Sequence, residues 1–257
     1  MGSFRVLSWQ LMLYRRIWRL EAMNAVVQPL LYLLGLGIGV GALVDRNTSS
    51  TAALGGLPYV AFVAPGLVMT TAMSLAAADS MWPVMGGLTW GRGYHAIAAT
   101  PLTARDIVGG HALWIWIRCG YSAAAVGVAL AVFPDTRSWG LVPMVPVAML
   151  VGTAFAMPIM SFSVVAKMDG VFAAIQRFVI IPLFLFGGAF YPLGRLPRPV
   201  QWVAVAAPLW HGVTVARSFF AGTFDLASTA AHLAYLMVWA VVGALLAEHR
   251  LTGRLYP

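Results

Sequence analysis

Long apolar runs alternate with short polar breaks along most of this 257-residue chain. A helix needs about 20 apolar residues to cross the hydrocarbon core of a membrane, because each backbone polar group must be paired within the segment. The pattern therefore predicts an all-α polytopic membrane protein with a single transmembrane domain over residues 1–257. Six stretches are long enough to span: Ala25–Val44, Leu57–Val84, Ile107–Phe133, Leu141–Ala166, Val171–Phe190 and Leu226–Ala247.

The composition supports a membrane protein and excludes a water-soluble one. Hydrophobic residues make up 61% of the chain and charged residues 9%, whereas soluble domains average about 25% charged residues. The formal net charge of +8 would also suit a nucleic-acid-binding protein. The arginines stand at the ends of the apolar runs, so we expect them to contact membrane lipid head groups and no nucleic acid.

The basic residues also predict the orientation of the chain, since Lys and Arg are enriched in short cytoplasmic loops. Placing the N-terminus in the cytoplasm puts nine basic residues on the inner side and five on the outer side. Both termini are therefore expected to be cytoplasmic. The inner residues are Arg5, Arg15, Arg16, Arg19, Arg92, Arg105, Lys167, Arg250 and Arg254, and the outer ones are Arg46, Arg137, Arg195, Arg198 and Arg217.

A separate helix is predicted before the first span, over residues 1–24. Phe4 and Trp18 belong to a series of large apolar residues at helical spacing, with Arg15 and Arg16 among them. Aromatic and basic residues at an apolar boundary are typical of a helix that lies along the membrane surface. The alternative is a cytoplasmic extension of the first transmembrane helix.

The loop after the second span, residues 85–106, is longer than a connection requires. Glycines and Pro101 isolate a short cytoplasmic helix, Trp90–Ala99, within it. Thr100 is expected to cap the following helix, with Pro101 in its first position, where the missing N–H costs nothing. Two or three residues would suffice to join two spans, so we expect the short helix to dock onto another protein.

A second irregular region, residues 187–222, follows the fifth span. Gly187 and Gly188 are followed by four prolines, of which Pro192 is the first and Pro208 the last. Prolines remove backbone donors, and a straight spanning helix is therefore excluded. Irregular backbone at membrane depth is tolerated only where it lines a cavity or packs on protein. The pattern predicts an external re-entrant segment between spans five and six; the alternative is a plain external loop.

Three charged residues interrupt the apolar runs within the predicted spans. Asp79 lies in the second span, Arg118 in the third and Arg177 in the fifth. Asp79 and Arg177 lie near the cytoplasmic ends of their spans, where a charged group can reach the interface, and Arg118 lies deeper. Charges at membrane depth are costly, so they are usually paired or functional. We expect Asp79 and Arg118 to form a structural ion pair between neighbouring helices. The alternative is a proton or ion relay, as in a secondary transporter or a channel.

Catalytic chemistry is missing from the sequence. A phosphate-binding loop ends in Gly-Lys-Ser/Thr, but the single lysine, Lys167, stands in the segment VVAKMDGVF. The five histidines show no metal-ligand spacing, and Cys119 has no second cysteine to pair with. We therefore expect no catalytic residue, no metal and no cofactor on this chain, although a membrane enzyme or a scaffold stays open as a minor alternative.

The two irregular regions resemble signatures of type-2 ABC transporter permeases, in particular the nodulation-factor and daunorubicin-type exporters. The segment YHAIAATPLTARDIVGG, residues 94–110, is similar to the coupling segment of that family. The segment GGAFYPLGRLPRPVQWVAVAAPLWHGVTVAR is similar to its second signature. The matching positions are Gly187, Gly188, Phe190, Pro192, Leu196, Pro197, Pro208, Leu209, His211 and Arg217.

The resemblance implies a permease subunit in the inner membrane of a bacterium. It would export a lipid, glycolipid or hydrophobic drug, together with a second permease, identical or sibling, and two ATPase subunits that hold ATP and Mg. Relatives often carry acidic residues where this chain has His95 and His111. The implied ATPase-coupling residues are Trp90, Arg92, Tyr94, His95, Thr100 and Pro101, and the implied external gate is Gly187, Gly188, Phe190, Pro192, Pro208, His211 and Arg217.

Overall fold

The computed structural model describes residues 2–46, 54, 56–132 and 136–256. Most of them are helical, and no β-strand occurs in these ranges, which confirms the predicted all-α class. The main helices are α1 (Gly2–Tyr14), α2 (Trp18–Leu34), α3 (Tyr59–Leu88), α4 (Gly93–Ala98), α5 (Ala104–Val132), α6 (Leu141–Val165), α7 (Gly170–Phe186), α8 (Arg198–Ala206), α9 (Pro208–Ala221) and α10 (Leu226–Leu255).

The structure contains two π-helical segments, one directly after α2 and one inside α7. The chain continues from α2 through a π-helical segment, Gly35–Gly41, and a last helical turn, Ala42–Val44. A second π-helical segment, Gln176–Ile180, lies in the middle of α7. A short 3-10 helix, Leu193–Arg195, precedes α8.

Five segments within the described ranges are long and apolar enough to cross a membrane: Val26–Val44, α3, α5, α6 and α10. The fifth predicted span corresponds to α7, which is apolar but only 17 residues long. It ends at Phe186, before the predicted end at Phe190, because the helix breaks at Gly187. A sixth crossing therefore stays a prediction. Phe133, the predicted end of the third span, lies outside the described residues.

Helix α6 forms the centre of the bundle. It packs against α3, α5, α9 and α10, and it carries no ionisable side chain. Small residues allow the close approach, because a side chain at Gly152 would collide with Cys119 of α5 and one at Gly243 of α10 would collide with Pro158. Small residues at helix crossings are the usual means of tight packing in membrane proteins.

The bundle has two distinct ends. At the first, which we call the coupling end, α4 joins the end of α3 to the start of α5. Both ends of the chain reach this side, since Gly2 lies against Asp106 and the hydroxyl of Tyr256 donates to the carbonyl oxygen of Leu102 (2.6 Å). At the opposite end, the hairpin end, the hydroxyl of Ser138 donates to the carbonyl oxygen of Phe220 (2.7 Å).

Helices α8 and α9 form a hairpin that dips into the bundle from the hairpin end. Gly140, just before α6, packs on Phe219 near the end of α9. Gly212, near the start of α9, packs on Val151, which is further along α6. At 1.5 Å per helical residue, the apex of the hairpin lies about 15 Å below the start of α6. The hairpin occupies the region for which the sequence predicts a re-entrant segment.

The N-terminal helix α1 lies along the first half of α5. Val6 packs on Gly110, and the hydroxyl oxygens of Tyr14 and Tyr121 are 3.0 Å apart. A turn at residues 15–17 separates α1 from α2, so α1 is not a continuous extension of the first span. Its opposite face is exposed and includes Phe4. A position at the membrane surface stays a prediction.

Candidate functional site

The turn that starts α4 depends on Arg92, which adopts a left-handed conformation (φ +47°). The helix then runs over Gly93–Ala98 and is shorter than the predicted Trp90–Ala99. The hydroxyl of Thr100 donates to the carbonyl oxygen of Ile97 (2.6 Å), so Thr100 closes the end of α4.

The prediction that Thr100 caps α5, with Pro101 in its first turn, is wrong. Thr103 caps the helix instead. Its backbone N–H donates to Oδ2 of Asp106 (3.0 Å), while the backbone N–H of Asp106 donates back to Oγ1 of Thr103 (3.3 Å). This reciprocal pair satisfies two backbone donors, whereas Thr100 with Pro101 would satisfy one. Pro101 lies in the turn between α4 and α5.

Five of the six predicted coupling residues are exposed, and the sixth is buried. Trp90 is 65% exposed, and Arg92, His95, Thr100 and Pro101 are exposed as well. The sixth residue, Tyr94, is only 2% exposed. Its ring lies 5.9 Å from that of Trp9 in α1, and burial raises the pKa of its hydroxyl. The expectation that Tyr94 contacts an ATPase is therefore wrong: it fastens α4 to the bundle.

Helix α1 packs closely against the start of α4, at Gly93. A side chain at Gly93 would stand 2.7 Å from Cζ2 of Trp9, so only glycine allows the indole to approach this closely. The same helix reaches His111, which is 1% exposed and lies 2.9 Å from the hydroxyl of Ser80 and 3.3 Å from the amide of Gln10. His111 is thus an interior residue that joins α1, α3 and α5, and it cannot contribute to a docking surface.

The structure brings Asp79 and Arg118 together and adds a third charge. Nε of Arg118 donates to Oδ2 of Asp79 (3.0 Å), and Nη2 donates to Oε2 of Glu21 (2.8 Å). The indole N–H of Trp114 also donates to Asp79 (3.1 Å), and the ring of Tyr14 lies 5.0 Å from the guanidinium. The arginine is 3% exposed. One buried guanidinium therefore joins α1, α2, α3 and α5, and sequence reasoning missed Glu21.

At the hairpin end, the two glycines that follow α7 have different roles. A side chain at Gly187 would stand 2.5 Å from the carbonyl oxygen of Leu183 and from Cδ2 of Leu209. Gly188 has more space, but its φ of +81° is unfavourable for any other residue. The next residue, Ala189, approaches α3 so closely that a side chain at Gly66 would stand 2.7 Å from its Cα.

Arg217 of α9 fastens this break to α3. Its Nη2 donates to the carbonyl oxygens of Gly188 (3.0 Å) and Ala189 (3.1 Å), and Nε and Nη2 both reach that of Phe62 (3.3 Å). The guanidinium also lies 3.7 Å from the centre of the Phe62 ring. Within the described ranges, no carboxylate forms an ion pair with it. Among the described residues, backbone carbonyl oxygens and the face of the Phe62 ring stabilise this charge.

The remaining predicted gate residues are spread around the hairpin. The ring of Phe190 lies 5.1 Å from that of Phe184 in α7. Pro208 is buried at the start of α9, and Pro192 is the residue just before the 3-10 helix. His211 faces α10, where its Nδ1 lies 2.7 Å from Nδ1 of a histidine that the sequence did not single out, His232.

Two cavities border α7, the helix that precedes the hairpin. One, of about 160 Å³, lies between α2, α3 and α7 and carries neutral polar groups from Gln28, Tyr32 and Thr71. The other is an apolar groove of about 590 Å³ between α6, α7, the hairpin and α10. Across the residues that the structure describes, no three His, Cys, Asp or Glu side chains are grouped to hold a metal ion.

Comparison with known proteins decides the family. The family model described as "ABC-2 type transporter" matches residues 3–221. The chain belongs to the ABC-2 type transporter family. Its relatives include Nodulation protein J of Rhizobium leguminosarum bv. viciae, which is 30% identical over 256 residues (97% of this chain and 95% of that protein). Nodulation protein J of Rhizobium meliloti (strain 1021) is 31% identical over 244 residues (93% and 90%).

A more distant relative is the Inner membrane transport permease YadH of Escherichia coli (strain K12), 25% identical over 225 residues (83% of this chain and 80% of that protein). No solved structure matches the chain. Family membership confirms the predicted resemblance to ABC-2 permeases. The chain is the multi-pass membrane component of an ABC exporter, and in such exporters a separate subunit is the ATPase.

Proposed function

We propose that this ABC-2 permease exports a lipid, glycolipid or hydrophobic drug from the cytoplasm or the inner leaflet, powered by two ATPase subunits that bind ATP and Mg. The observation that carries the proposal is α4, a short helix that carries the exposed His95, follows the exposed Trp90 and Arg92, and is held at one end of the bundle by a buried tyrosine. A loop that only joined α3 to α5 would not need this anchor.

The ATPase would contact the exposed side of α4 through Trp90, Arg92 and His95, with Thr100 and Pro101 at its edge. Movement of α4 would reach α1 through the contact between Tyr94 and Trp9. Helix α1 is joined in turn to the spanning helices at the buried guanidinium of Arg118. Through these successive contacts, a movement of the ATPase against α4 would shift several helices together.

A second permease, identical or sibling, would pack against the first span and α7. Helix α7 makes few contacts with the rest of the chain. Large apolar side chains are exposed on both elements, among them Leu31, Leu43 and Phe178. The cavity beside Tyr32 would then face the transport pathway between the two copies. Its lining is uncharged, which suits a cargo without a strong charge.

The hairpin of α8 and α9 would be the external gate. The break at Gly187 and Gly188 gives the chain a hinge, and Arg217 holds the hinge through carbonyl oxygens that a modest backbone movement would release. The coupling end would face the cytoplasm together with both termini, in the inner membrane of a bacterium. The name of the Escherichia coli relative, Inner membrane transport permease YadH, supports that location.

Co-purification tests the proposal. The tagged chain, extracted from its native membrane, should retain an ATPase with a phosphate-binding loop, which mass spectrometry would identify together with bound lipids. The double variant Trp90→Ala, His95→Ala should lose most of that ATPase. A matched control is Trp202→Ala, because Trp202 is also highly exposed (72%) but lies on α8.

Two results would contradict the proposal: no ATPase accompanies the parent chain, or Trp202→Ala loses it as fully as the double variant does. Transport that follows a proton gradient without ATP would favour a secondary transporter that uses Asp79 and Arg118. In the structure, the donors of Arg118 are directed to Asp79, Glu21 and Tyr121, which supports a structural role for this arginine.

A further inference from the structure

The apex of the hairpin is joined to α10 by a cluster of aromatic and polar side chains. Nδ1 of His211 in α9 lies 2.7 Å from Nδ1 of His232 in α10. The ring of Tyr235 stacks on His211 with centroids 3.9 Å apart, and its hydroxyl donates to the carbonyl oxygen of Ala206 (2.7 Å). The end of α8, the start of α9 and the first turns of α10 therefore meet in one place.

The hydrogen bonds fix where the protons lie. Nε2 of His211 is 3.0 Å from the carbonyl oxygen of Val205, and a carbonyl can only accept, so Nε2 carries a proton. Nδ1 of neutral His211 then accepts, and His232 donates its Nδ1–H. A first extra proton on Nε2 of His232 leaves this bond intact. A second, on Nδ1 of His211, would place two N–H groups face to face and add like charges.

Among the residues that the structure describes, the surroundings of the pair provide no compensating negative charge. On α10, Asp225 is engaged as a cap by the backbone N–H of Ser228 (2.7 Å). On α9, Arg217 is directed to backbone carbonyls near Gly188, while α6, which also packs on α9, has no ionisable side chain. At the start of α3, Tyr59 belongs to a separate apolar cluster with Phe62.

The remaining neighbours of the pair within the described ranges are uncharged. The ring of Trp210 lies 5.0 Å from His211 and 5.3 Å from His232, and α8 contributes only carbonyl oxygens. Burial, and next the neighbouring His232, lower the pKa of His211. The site therefore resists the second proton.

We propose that His211 and His232 form a proton-sensitive latch that holds the hairpin on α10 while the pair carries at most one extra proton and releases it when both rings are charged. A histidine ring in water protonates near a pKa of about 6.5, and the shared hydrogen bond makes the latched pair take up a second proton less readily than released rings do. The stability of the latch is thus complete above that pH and is lost as the pH falls below it. This response goes beyond the proposed export function, since it needs no ATP.

Distance measurements by electron paramagnetic resonance test the latch directly. Spin labels at Val203→Cys in α8 and Val238→Cys in α10 would sit on exposed positions, and the native Cys119 is buried. The chain would be measured in lipid nanodiscs at about pH 7.5 and about pH 5.5, which lie on either side of the ordinary histidine pKa. We expect one short distance at the higher pH and a longer population that grows about threefold or more at the lower pH.

Two variants sharpen the test. In His232→Asn, the amide can donate to neutral His211 or accept from its charged form, so the short distance should persist at both pH values. In His232→Phe, the hydrogen bond is absent, so the longer population should be present at both. The proposal is overturned if the parent distances are the same at the two pH values, or if His232→Asn responds to pH as strongly as the parent. The parent and His232→Asn decide the matter even if His232→Phe fails to insert.

Discussion

Two buried arginines, one midway along α5 and the other near the hairpin end, are stabilised in different ways. Arg118 binds the carboxylates of Asp79 and Glu21, whereas Arg217 binds no described carboxylate and lies on the carbonyl oxygens of Gly188, Ala189 and Phe62 and on the Phe62 ring. Side-chain carboxylates on different helices make a fixed junction, since each helix must keep its place for the charges to remain paired. Carbonyl oxygens at a chain break depend on the local backbone and are released when it turns. We propose that the junction at Arg118 transmits movement and that the break held by Arg217 undergoes it.

The largest effect is expected from breaking the junction at Arg118. Arg118→Gln would leave Asp79 as a buried and unpaired carboxylate, and removing one partner of a buried pair costs about 3–5 kcal/mol. The double variant Asp79→Asn, Arg118→Gln should unfold at a higher denaturant concentration than Arg118→Gln alone, because the remaining carboxylate, Glu21, can reach solvent. Chemical unfolding in detergent measures the difference. If the double variant is no more stable than the single one, the charges are not acting as a structural group.

A smaller loss is expected at the other arginine. Arg217→Met removes the donors for three carbonyl oxygens but leaves no charge unpaired, so it should cost about 1–3 kcal/mol in the same unfolding experiment. Arg137→Met serves as the control, because Arg137 is exposed and its Nε donates to a single carbonyl oxygen, that of Ala131 (3.0 Å). If Arg217→Met lowers the free energy of unfolding as much as Arg118→Gln does, the two arginines do not differ in the way proposed.

The glycine at the break should tolerate a side chain poorly. Gly188→Leu places a branched residue at φ +81°, which costs roughly 1–2 kcal/mol. The variant should still insert in the membrane but transport more slowly and lose the coupling of transport to ATP hydrolysis. Gly194→Leu is the matched control, since nothing lies within 4 Å of the position that its Cβ would take. Transport by Gly188→Leu at the parent rate, with normal expression, would rule out a gate at this position.

The smallest effect concerns the start of α5. Thr103→Ala removes the side-chain acceptor for the backbone N–H of Asp106 and should cost about 1 kcal/mol. Thr100→Ala removes only an exposed hydroxyl bond to the carbonyl oxygen of Ile97 and should cost less. Thermal unfolding of the two variants, measured side by side, shows which of them loses more stability. The reverse order would mean that Thr100 is the more important residue for this turn.

Local signals explain what the sequence could predict. Apolar runs of at least 20 residues located the long helices, and Gly187 with Gly188 located the break after α7. The start of α5 was misplaced because two cap signals compete within four residues. Thr100-Pro101 is the more conspicuous, but Thr103 has an aspartate three positions later, and that reciprocal pair forms.

The contacts that sequence reasoning missed are long-range. Glu21 was assigned to the N-terminal surface helix, although it is the only acidic residue in the first 44 positions, a signal that could have suggested a partner for Arg118. His232 lies in an apolar run, and no spacing rule links it to His211. Tyr94 appeared suited to a docking surface because its neighbours are exposed, and only the packing of Trp9 shows that it faces inward.

Site-directed crosslinking at α4 tests most directly whether the coupling end receives the ATPase. Cysteines at His95, which is exposed, and at Tyr94, which is buried, differ by one position. In native membranes, His95→Cys should crosslink to an ATPase subunit, and Tyr94→Cys should do so weakly or not at all. Equal crosslinking of the two variants, or labelling of His95→Cys only by a reagent added from outside the cell, would contradict the proposed docking surface and the cytoplasmic position of α4.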